Sequence, residues 1–126
     1  MNAETMPPVK LQGGLLPDST YVEVAKVPWV KTRFPGIEAK TLMENKATGM
    51  STQLMRWAPG SRLPRHEHVA IEQTYVIQGS LSDHAGVCRA GQYVWRSAGS
   101  RHDAWTDEGC QVLAFFLRPN TFFDQK

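Results

Sequence analysis

Residues 60–79 read GSRLPRHEHVAIEQTYVIQG, and this segment says more about the architecture than any other part of the chain. In an extended strand the side chains of residues i and i+2 lie on the same face. His66 and His68 therefore point the same way, while Glu67 points to the opposite side. Glu72 follows four residues after His68 and shares the histidine face if strand parity holds or if a bend re-aims it. The spacing predicts two imidazoles and one carboxylate close enough to share a metal ion.

A fourth ligand has to come from a neighbouring strand, and the candidate is the histidine of the segment GQYVWRSAGSRHDAW. A single histidine in a strand is more often a surface or core residue than a ligand, which is how we interpret His84 in the turn SDHAG. The His-x-His pair, the glutamate and a later histidine after a glycine turn together favour a metal site without cysteine ligands. The predicted ligands are His66, His68, Glu72 and His102.

Apolar residues in the rest of the chain alternate with a period of two almost everywhere, and no stretch shows a sustained helical period. Turn sequences such as PG, DHAG and DEG separate the apolar runs. Strands are predicted at residues 22–25, 37–44, 50–57, in a segment reaching residue 68, at 74–78 with Gly79 as the stop, and at 92–96, 101–106 and 111–117. Many short strands at this spacing predict an all-β sandwich or barrel.

Length and composition indicate one ordinary globular domain. Of the 126 residues, 1–19 are rich in proline and glycine and are predicted to form an irregular N-terminal arm, and 20–126 form the β-barrel domain. The net charge of +2 does not indicate a nucleic-acid or anionic-membrane partner. The N-terminus lacks the apolar core of a signal peptide, and no apolar run approaches the roughly 20 residues of a membrane span. We expect a cytoplasmic protein.

The chain has two cysteines, Cys88 and Cys110. They form no Cys-x-x-Cys pair, and the residues around them look like strands. We therefore expect buried free thiols rather than a disulfide bond.

The segment 60–79 resembles the first motif of the cupin superfamily, Gly-x5-His-x-His-x3-Glu-x6-Gly, with every defining position filled. The segment from Gly91 is similar to the second motif, Gly-x5-Pro-x-Gly-x2-His-x3-Asn. The two glycines and the histidine of that motif match, whereas Ser97 stands in place of the proline and Thr106 in place of the asparagine. Neither departure touches a ligand. The first bears on the shape of the turn, and the second leaves the role of that outer position open.

The resemblance to cupins implies a double-stranded β-helix, or jelly-roll, barrel that binds one divalent metal ion per chain. Matched position by position, the cupin ligands fall on the same four residues that the spacing selects. The ligand set leaves Fe(II), Mn(II), Ni(II) and Zn(II) open, with iron expected if the protein is an oxygenase. Exposed strand edges need covering, and cupins commonly dimerise through such edges and through terminal arms, so we expect a homodimer.

The run from Glu72 to Trp105, with the earlier VPWV and PGIEAK, is similar to one branch of the cupins. That branch contains acetylacetone-cleaving dioxygenases, dihydroxyacetophenone dioxygenases and the cupin domain of ChrR-type anti-sigma factors. It implies an Fe(II)-dependent dioxygenase in which an enolised diketone or hydroxyketone chelates the metal and dioxygen cleaves a carbon–carbon bond. The alternative is a non-enzymatic metal- or ligand-sensing module. A cupin-type sugar isomerase is disfavoured, because metal-free members of that kind often lack the full ligand set.

An enzyme of this kind needs apolar pocket walls and a group that orients the substrate. Aromatic residues near the motifs are candidates for the walls, and an arginine is a candidate for orienting an anionic substrate. Core packing and surface positions are the ordinary alternatives for these side chains. The candidate substrate-binding residues are Arg56, Trp57, Tyr75 and Trp105.

Overall fold

The computed structural model describes residues 18–123, and this part of the chain is built almost entirely of strands, which confirms the all-β prediction. One turn of 3-10 helix, Val24–Lys26, precedes ten strands. The strands are β1 (Val30–Lys31), β2 (Ile37–Asn45), β3 (Met50–Trp57), β4 (Arg62–Glu67), β5 (Glu72–Asp83), β6 (Gly86–Arg89), β7 (Tyr93–Arg96), β8 (Arg101–Trp105), β9 (Cys110–Phe116) and β10 (Thr121–Phe122). The arm predicted for residues 1–19 lies almost wholly outside the described residues. Within residues 18–123, no helix has the length and apolar character needed to cross a membrane.

Two antiparallel sheets share the long strand β5. The first sheet has the strand order β1-β2-β3-β9-β5-β7, and the second has the order β10-β4-β8-β5-β6. The first part of β5 pairs with β9 and β7, and its last residues pair with β6 and β8. Neighbours in each sheet are often distant in sequence, as in a jelly-roll barrel.

Gly79 lies where β5 passes from one sheet to the other. Its φ is +75°, and a Cβ at this position would lie 2.0 Å from the carbonyl oxygen of Gly109. Glycine is required by both the backbone conformation and the close approach of a neighbouring chain segment. The prediction that Gly79 ends its strand is therefore wrong, because the glycine lets β5 continue past that backbone to Asp83.

The core lies between the two sheets, where alternate residues of each strand point inward. Along β8, His102 and Ala104 are both buried, and along β5, Glu72 and Val76 are both buried. The predicted ligands and the apolar core thus occupy the same inner faces. The apolar part of the core consists of Ile37, Trp57, Val76, Leu81, Ala104, Cys110 and Val112.

The prediction of a strand at residues 22–25 is wrong. Residues Val24–Lys26 form a 3-10 turn instead. Local hydrogen bonds take the place of strand pairing: the N–H of Lys26 donates to the Glu23 carbonyl oxygen at 3.0 Å, and that of Val27 donates to the Val24 carbonyl oxygen at 3.2 Å. The carbonyl oxygen of Val24 accepts a hydrogen bond from Lys40 Nζ at 2.8 Å, which fastens the segment to the sheet.

Both cysteines are free thiols, as predicted. Cys110 is buried, and burial raises the pKa of its thiol to about 12. Cys88 is only half-buried, so the prediction of a buried thiol holds fully for Cys110 and in part for Cys88.

Candidate metal centre

Three neighbouring segments bring the four predicted ligands together. His66 lies near the end of β4 and is the direct cross-strand partner of His102 on β8. His68 follows the end of β4, and its backbone forms hydrogen bonds of 2.9 and 2.7 Å with residues 99–100. Glu72 begins β5 after the loop that follows His68. The strand is therefore interrupted, and a bend rather than unbroken parity aims the glutamate at the histidines.

The four side chains form one buried cluster. One ligand atom from each residue can be chosen so that all four atoms lie within 4.8 Å of one another. The four residues are at most 9% exposed. The ring centroid of His66 lies 4.9 Å from that of His68 and 4.5 Å from that of His102. This cluster could hold a metal ion.

The ring nitrogens of the cluster face one another and the Glu72 carboxylate at short distances. His66 Nδ1 donates to the Pro64 carbonyl oxygen at 2.8 Å, which leaves its Nε2 lone pair free. The Nε2 atoms of His68 and His102 face each other at 2.6 Å. His68 Nδ1 lies 2.7 Å from Glu72 Oε2 without hydrogen-bond alignment, and neither His68 Nδ1 nor His102 Nδ1 has a hydrogen-bond partner among residues 18–123. A divalent cation with nitrogen and oxygen ligands fits this donor set.

The protonation states of the cluster also suit a metal. Burial lowers the pKa of His66, and burial together with the positive charge of Arg96 lowers the pKa of His102 to about 4. Burial raises the pKa of Glu72, but the adjacent His68 and Arg96 outweigh it and hold that pKa below its usual value. Near neutral pH, His66 and His102 are therefore neutral and Glu72 is a carboxylate, the forms of these side chains that bind metal ions.

Comparison with models of protein families shows which family the chain belongs to. The model of the ChrR cupin-like domain matches residues 17–119, which is most of the sequence. The chain belongs to this cupin family. The predicted cupin fold and the predicted branch are thereby confirmed. A comparison with curated protein sequences finds no match.

Solved structures of the same fold include both kinds of protein in this branch. A candidate acetylacetone dioxygenase from Methylibium petroleiphilum PM1 is 24% identical, with a TM-score of 0.77, over 94% of this chain and 86% of that chain. The acetylacetone dioxygenase of Acinetobacter johnsonii is 19% identical, with a TM-score of 0.74, over 95% and 86%. The Rhodobacter sphaeroides complex of SigE with the anti-sigma factor ChrR contains a chain that is 23% identical, with a TM-score of 0.63. The match covers 75% of this chain and 51% of that chain. At these identities the likeness concerns the fold.

Two charged residues next to the cluster are missing from the sequence-based prediction of the site. Asp83 Oδ2 lies 3.7 Å from His102 Nδ1, and Arg96 is the direct cross-strand partner of Glu72. Arg96 Nη2 contacts Asp83 Oδ2 at 2.9 Å. The alternation of residues along β7 could have identified Arg96. The two aromatic residues of this strand face outward, so Arg96 is a charged residue on the inner face. A charge at such a position is rarely buried without a partner.

The predicted substrate-binding residues are not gathered around the cluster. Arg56 is ion-paired on the barrel surface, Tyr75 is 43% exposed on the outer face of β5, and Trp105 alternates with the buried residues of β8. Trp57 points inward, into the apolar core, and its indole N–H has no hydrogen-bond partner among the described residues. A substrate role for the four remains a prediction, and the outward positions of Arg56, Tyr75 and Trp105 do not favour it.

Proposed function

We propose that the protein is a metal-dependent oxygenase that acts on a small diketone or hydroxyketone. The observation that carries this proposal is the buried cluster of three imidazoles and one carboxylate inside a cupin barrel. These four side chains would hold a divalent cation and would leave part of it accessible to a chelating molecule. The two neighbours described as acetylacetone dioxygenases, one of them as a candidate, support the substrate class.

The residues of the chain would orient the ligands and keep water out. When bound, a divalent cation, iron in this proposal, would supply a Lewis acid and a template for the chelating substrate. The Pro64 carbonyl oxygen fixes the orientation of the His66 ring. The Thr74 hydroxyl donates to Glu72 Oε1 at 3.2 Å, which holds the carboxylate in place. The burial of all the ligands separates them from bulk solvent and strengthens every charge interaction in the site.

A cavity next to the cluster offers space for a small molecule. It has a volume of about 510 Å³, within the range of small-molecule pockets of roughly 300–1,000 Å³. Leu81, Val87 and Val94 contribute apolar surface, while Asp83 and Arg96 contribute the polar part of the lining. None of the four predicted ligands lines this cavity, but Asp83 lines it and also faces His102. We propose that the substrate enters from this side.

A second candidate function is a metal- or ligand-sensing module that catalyses no reaction. The family model that matches the chain is that of the ChrR cupin-like domain, and one structural neighbour is ChrR in complex with SigE. The chain spans about half of that structure, so a partner of this type would be a property of a longer protein. The same metal cluster serves either function.

We also propose that two copies of the chain associate through the outer face of the first sheet. Tyr75 and Tyr93 are cross-strand partners on this face, and Trp95 and Phe115 both pair with Gln73. The four aromatic residues are between 38% and 59% exposed. Contiguous apolar surface of this kind marks contact sites in soluble proteins, and a flat sheet face can pair with its own copy about a two-fold axis.

Metal content and oxygen uptake test the oxygenase proposal. Elemental analysis of the purified protein is expected to give about one iron ion per chain, as an open mononuclear site requires. His66→Ala and His102→Ala should lose the ion. His84→Ala is the matched control, because His84 is exposed in the turn after β5 and should leave the metal content unchanged. The iron-loaded protein is expected to consume oxygen with members of a panel of β-diketones and hydroxyacetophenones.

Each outcome separates the two functions. Oxygen uptake that His66→Ala abolishes and His84→Ala preserves supports the oxygenase. Uptake with none of the panel, together with tight metal-dependent binding of another ligand, supports the sensing module. A protein that takes up no metal under any loading condition overturns both proposals.

A further inference from the structure

The ring of His102 has an unpaired nitrogen on the side away from the other ligands. Its Nε2 faces His68, so a metal shared with that residue is reached through Nε2. Neutral imidazole carries one proton, which then lies on Nδ1. This Nδ1 is buried and has no hydrogen-bond partner among the described residues. A buried donor without an acceptor is energetically unfavourable, so a nearby acceptor is expected.

Asp83 supplies a carboxylate that is held in a fixed position beside this ring. Its Oδ1 accepts the backbone N–H groups of Ala85 and Gly86 in the β5–β6 turn, at 2.8 and 3.1 Å. Its Oδ2 accepts Nε and Nη2 of Arg96, at 3.2 and 2.9 Å. Both charged side chains are at most 14% exposed. The carboxylate thus keeps one orientation, with Oδ2 towards His102.

We propose that Asp83 is a positioning residue for the metal site, which accepts the Nδ1–H of His102 and so fixes its Nε2 as the ligand atom. The distance from Asp83 Oδ2 to His102 Nδ1 is 3.7 Å, which a small rotation of the imidazole closes to a hydrogen bond. Metal-binding histidines nearly always donate their second N–H to such an acceptor. The inference rests on the proposed metal cluster but not on any reaction there.

Arg96 has two effects in this arrangement. It anchors Asp83, and as the cross-strand partner of Glu72 it places a positive charge close to the ligands. Without Asp83 this charge would be uncompensated and would repel a cation. Replacing Asp83 therefore has an orienting consequence and an electrostatic one, and a test has to separate them.

The affinity of the protein for zinc, used as a probe, separates the two effects. Asp83→Asn keeps the oxygen that accepts the turn N–H groups and is expected to weaken zinc binding by about 10–100-fold. The double variant Asp83→Asn/Arg96→Gln removes both charges. Its zinc affinity should exceed that of Asp83→Asn by about threefold at most. Asp103→Asn is the control, because Asp103 is next to His102 in sequence but pairs on the surface with Arg62, and it should bind zinc normally.

Long-range proton–nitrogen NMR of the zinc-loaded protein provides a second readout, and its main observation is made on the wild type. The wild type is expected to show His102 coordinated through Nε2 with its proton on Nδ1, and this proton should exchange faster with solvent in Asp83→Asn. Coordination of His102 through Nδ1 in the wild type overturns the proposal even if the variant does not fold. Full recovery of zinc affinity in the double variant also overturns it, because the effect would then be purely electrostatic.

These results are independent of the proposed reaction. Failure of the oxygenase proposal appears as absent oxygen uptake with an intact metal site. Failure of the Asp83 proposal appears in zinc affinity and in the histidine tautomer, whether or not the protein consumes oxygen.

Discussion

Histidine burial makes the metal-free protein sensitive to acid at the level of single residues. His102 has an ordinary pKa of 6.5 in the unfolded chain, and burial and Arg96 lower it to about 4 in the folded protein. Between these values the unfolded chain binds more protons, so the free energy of unfolding falls as the pH falls. For His102 the loss from pH 7 to pH 4 is on the order of 3 kcal/mol, and the lowered pKa of His66 adds a loss of the same sign.

Urea unfolding of the chelator-treated protein at a series of pH values measures this effect. His102→Gln should show a flatter decline between pH 6.5 and pH 4 than the wild type. His84→Ala, which changes an exposed histidine, should keep the wild-type decline. A free energy of unfolding that stays constant over this range would contradict the expectation.

The ligands could be predicted from the sequence because their arrangement is mostly local. The His66–His68 pair follows from strand periodicity, and Glu72 lies within one short loop of it. Asp83 and Arg96 could not be assigned in the same way. Their role depends on the contacts that Asp83, at the end of β5, makes with Arg96 on β7 and with His102 on β8. Strand periodicity does not show that these segments meet.

Strand β10 connects the C-terminal part of the described chain to the metal cluster. It pairs with β4 so that Phe122 lies opposite His66. The Phe122 ring is centred 5.1 Å from the His66 ring and 4.8 Å from the Phe34 ring. This short strand therefore packs directly behind a predicted ligand.

Phe122→Ala is expected to lower the free energy of unfolding by about 2 kcal/mol, because the apolar area that the half-buried ring covers in the folded protein is lost. Phe123→Ala is the matched control, since the neighbouring ring is 47% exposed and its loss should cost no more than about 0.5 kcal/mol. Thermal or urea unfolding measures both. Equal effects of the two substitutions would show that β10 does not support the site.

The crossing of β5 between the sheets gives a second prediction at the level of strands. Gly79→Ala combines a positive φ with a Cβ 2.0 Å from a backbone oxygen, so it should destabilise the fold by about 3 kcal/mol or more. Gly91→Ala isolates the conformational part, because Gly91 also has a positive φ but has no atom within 4 Å of the added Cβ. It should cost about 1–2 kcal/mol. Similar unfolding midpoints for the two variants would show that the close approach is unimportant.

Element positions were predictable where polar and apolar residues alternate, as in β2, β3 and β9. The errors occur where the outcome depends on a partner strand. Residues 22–25 have a strand-like composition, but Val24–Lys26 form the local hydrogen bonds of a 3-10 turn. Gly79 looks like a strand end, but a glycine is needed there because the backbone of Gly109 lies against β5. The two-residue strands β1 and β10 are too short to show any periodicity.

At the scale of the whole molecule, the exposed aromatic face of the first sheet determines the expected assembly. Trp95→Lys should convert a dimer into a monomer, because it places a charge within the proposed contact at its most exposed aromatic residue. Val30→Lys is the control, since Val30 is also exposed, at 61%, but lies on β1 at the far edge of the sheet. Sedimentation velocity measures the mass of each variant. A wild-type protein that sediments as a monomer at all concentrations excludes this contact.

His66 pairs across strands with His102, which is synthesised later, so the cluster is completed only when β8 has been made. Three of the ligands lie within residues 66–72 and leave the ribosome together, whereas the fourth follows on β8. We therefore expect the nascent chain to hold a metal weakly before the barrel closes. Such binding to the unfolded chain would reduce the stabilisation that the metal gives to the fold. We expect zinc to bind a synthetic peptide of residues 60–79 measurably but far more weakly than it binds the folded protein, and titration calorimetry of the two compares these affinities.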